Sequence, residues 1–147
     1  MNDGQPVAGL VIVRGAADSF VQDVTAGAHH LRSDEPPELG GTDSGPTPYD
    51  LLLAALGSCT SMTVAMYARR KGWPLERVTV RLRHSRVHAA DCAACETPDE
   101  KLTVIDREIV LDGPLGGDQR ARLLAIANRC PVHLTLTSKI EVPTMLQ

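Results

Sequence analysis

The chain has 147 residues, enough for one domain with a substantial core. Hydrophobic residues make up 43%, charged residues 22%, and the net charge is -3, so the bulk charge gives nucleic acid no purchase. Aromatic residues are only 3%, which excludes base stacking and aromatic ligand cages as the main business.

No basic segment followed by an apolar stretch stands near Met1, so no signal peptide is expected. The longest apolar run, residues 51–57, is too short to cross a bilayer, so no membrane partner is expected either. A cytoplasmic protein follows, folded as a single domain over residues 1–147. Its four cysteines then read as catalytic or metal-binding thiols rather than a disulfide framework.

Residues 7–14 (VAGLVIVR) and 19–25 (SFVQDVT) are β-branched and apolar around a Gly-Ala-Ala-Asp turn, which predicts a hairpin. Residues 29–32 add a third short strand. Residues 34–48 are rich in Gly, Pro, Asp and Glu and read as a loop.

A helix follows with complete punctuation. Thr47 caps it, Pro48 suits its first position, and Asp50 stands where a capping box places an acid. Arg69, Arg70 and Lys71 oppose the negative end of the dipole, and Gly72 and Pro74 end the helix. Leu51, Leu52, Leu53, Leu56, Met62, Val64 and Met66 put apolar groups on nearly every face. Such a helix needs a second layer or a second subunit to cover it.

Residues 77–88 alternate, with Val78, Val80, Leu82, His84 and His88 on one face and Arg77, Thr79, Arg81 and Arg83 on the other. Residues 101–112 read as another strand. Residues 118–129 read as a second helix with Leu123, Leu124, Ile126 and Ala127 inward, and residues 134–142 (LTLTSKIEV) as a last strand. The order βββ-α-ββ-α-β is α+β rather than parallel βαβ.

Two cysteines carry the chemical interest. Cys59 lies inside the apolar helix, and Cys130 ends the second helix directly before Pro131-Val132-His133. An isolated cysteine on an apolar helix is more often a small core residue than a reactive one. Cys130 argues otherwise, because a thiol at a helix boundary lies near free backbone amides that favour a thiolate. Two such thiols suit a pair in which one attacks and the other resolves. His133 is equally suited to proton transfer and to a structural role.

Gly45-Pro46-Thr47-Pro48-Tyr49-Asp50-Leu51-Leu52-Leu53-Ala54-Ala55-Leu56-Gly57-Ser58-Cys59 and Arg129-Cys130-Pro131-Val132-His133 resemble the two signature segments of the OsmC/Ohr family. These are the osmotically inducible protein C and organic hydroperoxide resistance proteins. The element order is similar too, and the nearest likeness is to the OsmC-like redox protein branch.

The resemblance implies an intertwined homodimer, with antiparallel sheets packed around two central helices. It implies a cysteine-based peroxidase that reduces organic hydroperoxides to alcohols in oxidative stress defence, with no cofactor required. Cys59 is then the peroxidatic thiol, Cys130 condenses with its sulfenic acid to a disulfide, and an external dithiol reduces the pair. Characterised members place a glutamate where this chain has Tyr49. Asp50 is the nearest acid, and a cap and a catalytic role suit it equally. The family also uses an arginine at the thiolate, for which Arg14 and Arg32 are the candidates.

His84, His88, Cys92 and Cys95 form a second cluster. Two histidines and a C-x2-C pair can fill a tetrahedral zinc shell, although the spacing is not a standard finger. An auxiliary dithiol or a plain polar loop are the other readings. Three functions stand at this point: the peroxidase, a thiol redox sensor or thiol–disulfide exchange protein, and a non-enzymatic small-ligand or metal-binding protein.

Overall fold

The structure is a computed structural model that describes residues 9–88 and 101–147, with residues 87, 88 and 101 described by backbone alone. The chain divides into two compact units, Met1–Leu52 and Leu53–Gln147.

In the first unit, β1 (Val11–Gly15), β2 (Gln22–Ala26) and β3 (His29–Ser33) form an antiparallel sheet in the order β1-β2-β3. Val13 pairs with Val24 and Val24 with Leu31, so one face carries an apolar rung. Val24 is buried, whereas Val11, Val13 and Leu31 stay exposed.

The Gly- and Pro-rich loop after β3 is ordered by one carboxylate. Asp34 is buried. Its Oδ2 accepts bonds from the Thr42 hydroxyl (2.7 Å) and amide (3.0 Å) and from the Ser44 hydroxyl (2.9 Å) and amide (3.1 Å). Its Oδ1 accepts the Glu35 amide at 2.8 Å. The Thr42 hydroxyl is the largest influence, with the Ser44 and Glu35 amides and the Ser44 hydroxyl alongside. Together they hold the carboxyl well below the usual carboxylate range against the opposing effect of burial. The Ser33 hydroxyl and Asp34 amide both donate to the Pro46 carbonyl, which fixes the chain just before the first helix.

That helix, α1 (Pro48–Lys71), begins on a complete capping box. The Asp50 amide donates to the Thr47 hydroxyl at 3.1 Å, and the Thr47 amide donates to Asp50 Oδ2 at 2.9 Å. At its end Gly72 takes φ 67°, a left-handed conformation that a side chain would disfavour, and Trp73 N–H returns to the Ala68 carbonyl.

In the second unit α1 lies on an antiparallel hairpin of β4 (Arg77–His88) and β5 (Lys101–Asp112). The register places Val78 opposite Leu111, Val80 opposite Ile109 and Leu82 opposite Arg107, so these residues share the inward face. Arg81 and Glu108 pair on the outer face at 3.2 Å. α2 (Gly117–Ala127) closes the core, in which Val64 and Ala68 of α1 meet Leu123 and Ala127. Tyr67, Trp73, Val78, Ile109 and Leu111 pack around that cluster. The close crossing of α1 and β4 rests on Gly57. A Cβ there would stand 2.8 Å from Leu82 Cδ1 and 4.0 Å from Val80 Cβ.

Four expectations change. Leu124 is exposed rather than inward, because Leu123, Ile126 and Ala127 already occupy the buried stripe of α2. The strand expected over 134–142 does not form. Pro131 and the cap at Cys130 start a short helix, α3 (Pro131–Leu136), and residues 139–147 have no regular structure. The segment joins neither sheet, and β propensity is realised only by pairing.

α1 as a whole, 24 residues with a mean hydropathy of 1.6 in its most apolar window, is long and apolar enough to cross a membrane. A core helix meets the same test, and Leu56, Thr60, Val64 and Ala68 form a buried stripe here. The helix is not buried all round, since Met62 is 70% and Met66 54% exposed.

Two outcomes are expected from this packing. Gly57→Val overpacks the helix–hairpin crossing and lowers unfolding free energy by about 2 kcal/mol, read from urea midpoints. Asp34 has a folded pKa below its unfolded value. Its contribution is therefore complete above about pH 4 and is lost as pH falls further. Between pH 5 and 2 the urea midpoint of the native protein should fall more steeply than that of Asp34→Asn.

Candidate active site

The second unit brings together two cysteines that the sequence separates widely. Cys59 sits mid-way along α1 and is partly exposed, while Cys130 is completely buried; both are free thiols. Cys130 follows the end of α2, where its own amide donates to the Ala127 carbonyl at 3.3 Å. It also caps α3, because Pro131 lacks an amide hydrogen and the next free N–H groups turn back on the sulfur. The His133 amide donates to Cys130 Sγ at 3.4 Å.

The two thiols stand close enough to perturb each other, and their ionisation is therefore coupled. Burial opposes the Cys130 thiolate. The Cys59 thiol, the His133 amide, the Thr60 hydroxyl and the Val132 amide outweigh it and pull the Cys130 pKa below the ordinary thiol value. Cys59 moves the other way. Burial and its bond to Cys130 push its pKa up, and the Val132 amide and Thr63 hydroxyl offset this only in part. The two shifts run in opposite directions, so whatever negative charge the pair carries is favoured on Cys130, which collects more donors.

An open cleft of about 390 Å³ adjoins this pair. Leu56, Ile105 and Leu136 give it apolar walls, Thr103, Asp106, Arg107, His133 and Thr137 give it polar ones, and neither cysteine lines it. Leu56 lies one helical turn before Cys59, and His133 is the residue whose amide holds Cys130.

A family model for the OsmC-like protein matches residues 41–144. The chain belongs to the OsmC-like protein family. Among solved structures it is similar to an OsmC-like protein from Mycoplasma pneumoniae (18% identical, covering 92% of this chain and 89% of that one, TM-score 0.68). It is also similar to an organic hydroperoxide resistance protein OsmC from Legionella pneumophila (21%, 87% and 88%, 0.63) and to the organic hydroperoxide resistance protein OhrB of Bacillus subtilis (15%, 87% and 89%, 0.59). At these identities the likeness carries the fold alone. It bears out an α+β architecture of antiparallel sheets and helices. No curated protein matches the chain.

The remaining sequence candidates lie as follows. Asp50 is engaged in the capping box of α1. Arg14 stands on β1 opposite Asp23, and Arg32 on β3 pairs with Asp23 at 3.7 Å with both side chains exposed. All three belong to the first unit. Of the second cluster, His84 is exposed on β4, whereas the side chain of His88 and all of Cys92 and Cys95 lie outside the described residues.

Three residues of the site escape a reading by motif. Thr60 is fully buried beside Cys130. Arg107 donates to the Thr60 hydroxyl (3.0 Å) and the Ala127 carbonyl (3.3 Å), and to Asn128 Oδ1 (2.7 Å). The register gives the missing signal, because Arg107 occupies the inward face between Ile105 and Ile109, where an apolar residue is expected.

With Cys92 and Cys95 replaced by serine, thiolate absorbance near 240 nm isolates the pair. The first proton should leave below the free-cysteine pKa of about 8.5 and the second above it. Cys59→Ala, which removes a donor to Cys130, should raise the remaining midpoint above the first midpoint of the intact pair.

Proposed function

We propose that the protein is a thiol-dependent peroxidase that reduces organic hydroperoxides to alcohols in oxidative stress defence. The observation that carries the reading is the juxtaposition of the Cys59 and Cys130 thiols, close enough to shift each other's ionisation in opposite directions.

Cys59 is the sulfur a peroxide can reach, since Cys130 is buried. As the peroxide arrives, the Cys130 thiolate takes the Cys59 proton, and the Cys59 thiolate attacks the terminal oxygen of ROOH. The O–O bond breaks, an S–O bond forms, and sulfur loses two electrons to oxygen. The alkoxide RO⁻ leaves as ROH with the proton that Cys130 holds. Cys130, again a thiolate, attacks the sulfenic sulfur and displaces hydroxide, which leaves as water once protonated, and a disulfide forms. An external dithiol restores both thiols.

Two thiols suffice for this sequence, and no metal or other cofactor takes part. Asp50, Arg14 and Arg32 keep the roles that the family resemblance implies only as candidates for substitution. His84, His88, Cys92 and Cys95 remain a candidate zinc set apart from this chemistry. Leu56, Ile105 and Leu136 in the cleft give the organic group of a peroxide apolar surface to rest on.

The working form is a cytoplasmic homodimer. Exposed Met62 and Met66 on α1, Val11 and Val13 on β1, and Val142, Met145 and Leu146 in the tail are apolar surface that a second copy would cover.

The test incubates reduced protein with stoichiometric cumene hydroperoxide and, separately, hydrogen peroxide, followed by peptide mapping. A Cys59–Cys130 disulfide forming faster with the organic peroxide, and many turnovers with dithiothreitol, are expected. Cys59→Ser should lower turnover at least roughly a thousandfold. Cys130→Ser should leave Cys59 over-oxidised. A disulfide without turnover would move the reading to a redox sensor or exchange protein. Over-oxidation of the native protein without a disulfide would sink the two-cysteine mechanism.

A further inference from the structure

Arg107 is an unusual residue for the face it occupies. It stands half-buried on the inward side of β5, opposite Leu82. Among the described residues no carboxylate pairs with it. A cation withdrawn from water without a counter-charge is costly unless its donors are satisfied and a negative charge stands near.

Three of its N–H groups are taken by the Thr60 hydroxyl, the Ala127 carbonyl and Asn128 Oδ1, which come from α1 and from the end of α2. These acceptors fix the orientation of the guanidinium.

A guanidinium can only donate. The Thr60 oxygen is therefore an acceptor towards Arg107, and its hydrogen must point elsewhere. Two acceptors compete for that hydrogen: the Leu56 carbonyl at 2.7 Å and the sulfur of Cys130. While Cys130 is a neutral thiol, the carbonyl holds the hydrogen. Once the sulfur is charged, the charge-assisted bond is the stronger, and the hydroxyl turns to it.

We propose that Arg107 is a positioning residue: its guanidinium locks the Thr60 hydroxyl into donating, and that hydroxyl supports the negative charge of the Cys130 thiolate. Among the described residues, the titratable groups placed beside Cys130 are Cys59 from α1 and His133 from α3, with exposed Arg129 its neighbour in the chain. Arg107 thus supplies its positive charge to the pair through one hydroxyl. The proposal deepens the peroxidase reading, because a thiolate is what that chemistry consumes, but its test uses no peroxide.

The test titrates thiolate absorbance in the Cys92→Ser/Cys95→Ser background for Thr60→Val, Thr60→Ser, Arg107→Met and the Thr60→Val/Arg107→Met double variant. Thermal melts report folding of each. Thr60→Val and Arg107→Met should each raise the first midpoint by about one pH unit, which at a pH below it means about tenfold less thiolate. Thr60→Ser, which keeps the hydroxyl, should return the midpoint to the native value. The double variant should shift no further than Thr60→Val, since Arg107 acts through Thr60.

A midpoint unmoved in Thr60→Val, or additive shifts in the double variant, would overturn the proposal. If Arg107→Met does not fold, the Thr60→Val and Thr60→Ser comparison still decides it. A chain that consumes no peroxide while these midpoints still move would lose the peroxidase reading and keep this one.

Discussion

The juxtaposition of Cys59 and Cys130 is the constraint that the rest of the second unit serves. Two thiols shift each other's ionisation only when they stand close together, and these two come from different elements. α1 must lie close on the hairpin, and it does so where Gly57 leaves no side chain between the helix and Leu82. The turn after α2 must deliver Cys130 inward, and the core contact of Leu123 and Ala127 with Val64 and Ala68 holds α2 against α1. A methyl group at either contact is a small change in volume. It is felt because close-packed interiors have no slack in which to hide it.

The balance of charge at the pair follows from counting donors against burial. Both thiols lie in surroundings that penalise a thiolate. Cys130 overcomes that penalty because the cap of α3 aims the backbone at its sulfur while Cys59 and Thr60 donate from the side. Pro131 contributes by having no amide to offer. Cys59 meets fewer donors, and burial and its partner push its pKa up. The local chain Cys-Pro-Val-His is therefore an electrostatic device as much as a turn.

Much of this was legible in residue types with a fixed local geometry. Thr47, Pro48 and Asp50 announced the start of α1, Gly72 announced its end, and the alternation over 77–88 gave β4 its full span. The Cys-Pro break marked the second thiol. What depended on distant partners was not legible. Leu124 and the segment 134–142 have the composition of buried or paired residues, yet their places are decided by neighbours that local pattern does not encode. Asp34 looked like one acid in a polar loop, and only the return of Thr42 and Ser44 shows it as the centre of that loop. Arg107 lay between the two cases. Its position in the β5 alternation was anomalous, but the partner that explains it, Thr60, lies in another element.

The division between an accessible sulfur and a charged one has a chemical consequence. A thiolate exposed to peroxide is oxidised wherever it is reached, and repeated oxidation is irreversible. Here the sulfur whose thiolate is favoured is fully buried, while burial and its partner disfavour the thiolate of the sulfur that solvent can reach. Under the proposed peroxidase chemistry this arrangement would shield the pair from indiscriminate oxidation and leave the buried sulfur ready to resolve a sulfenic acid formed on Cys59. Protection of the nucleophile would then have one cause, the bias of charge towards the less accessible of two neighbouring sulfurs.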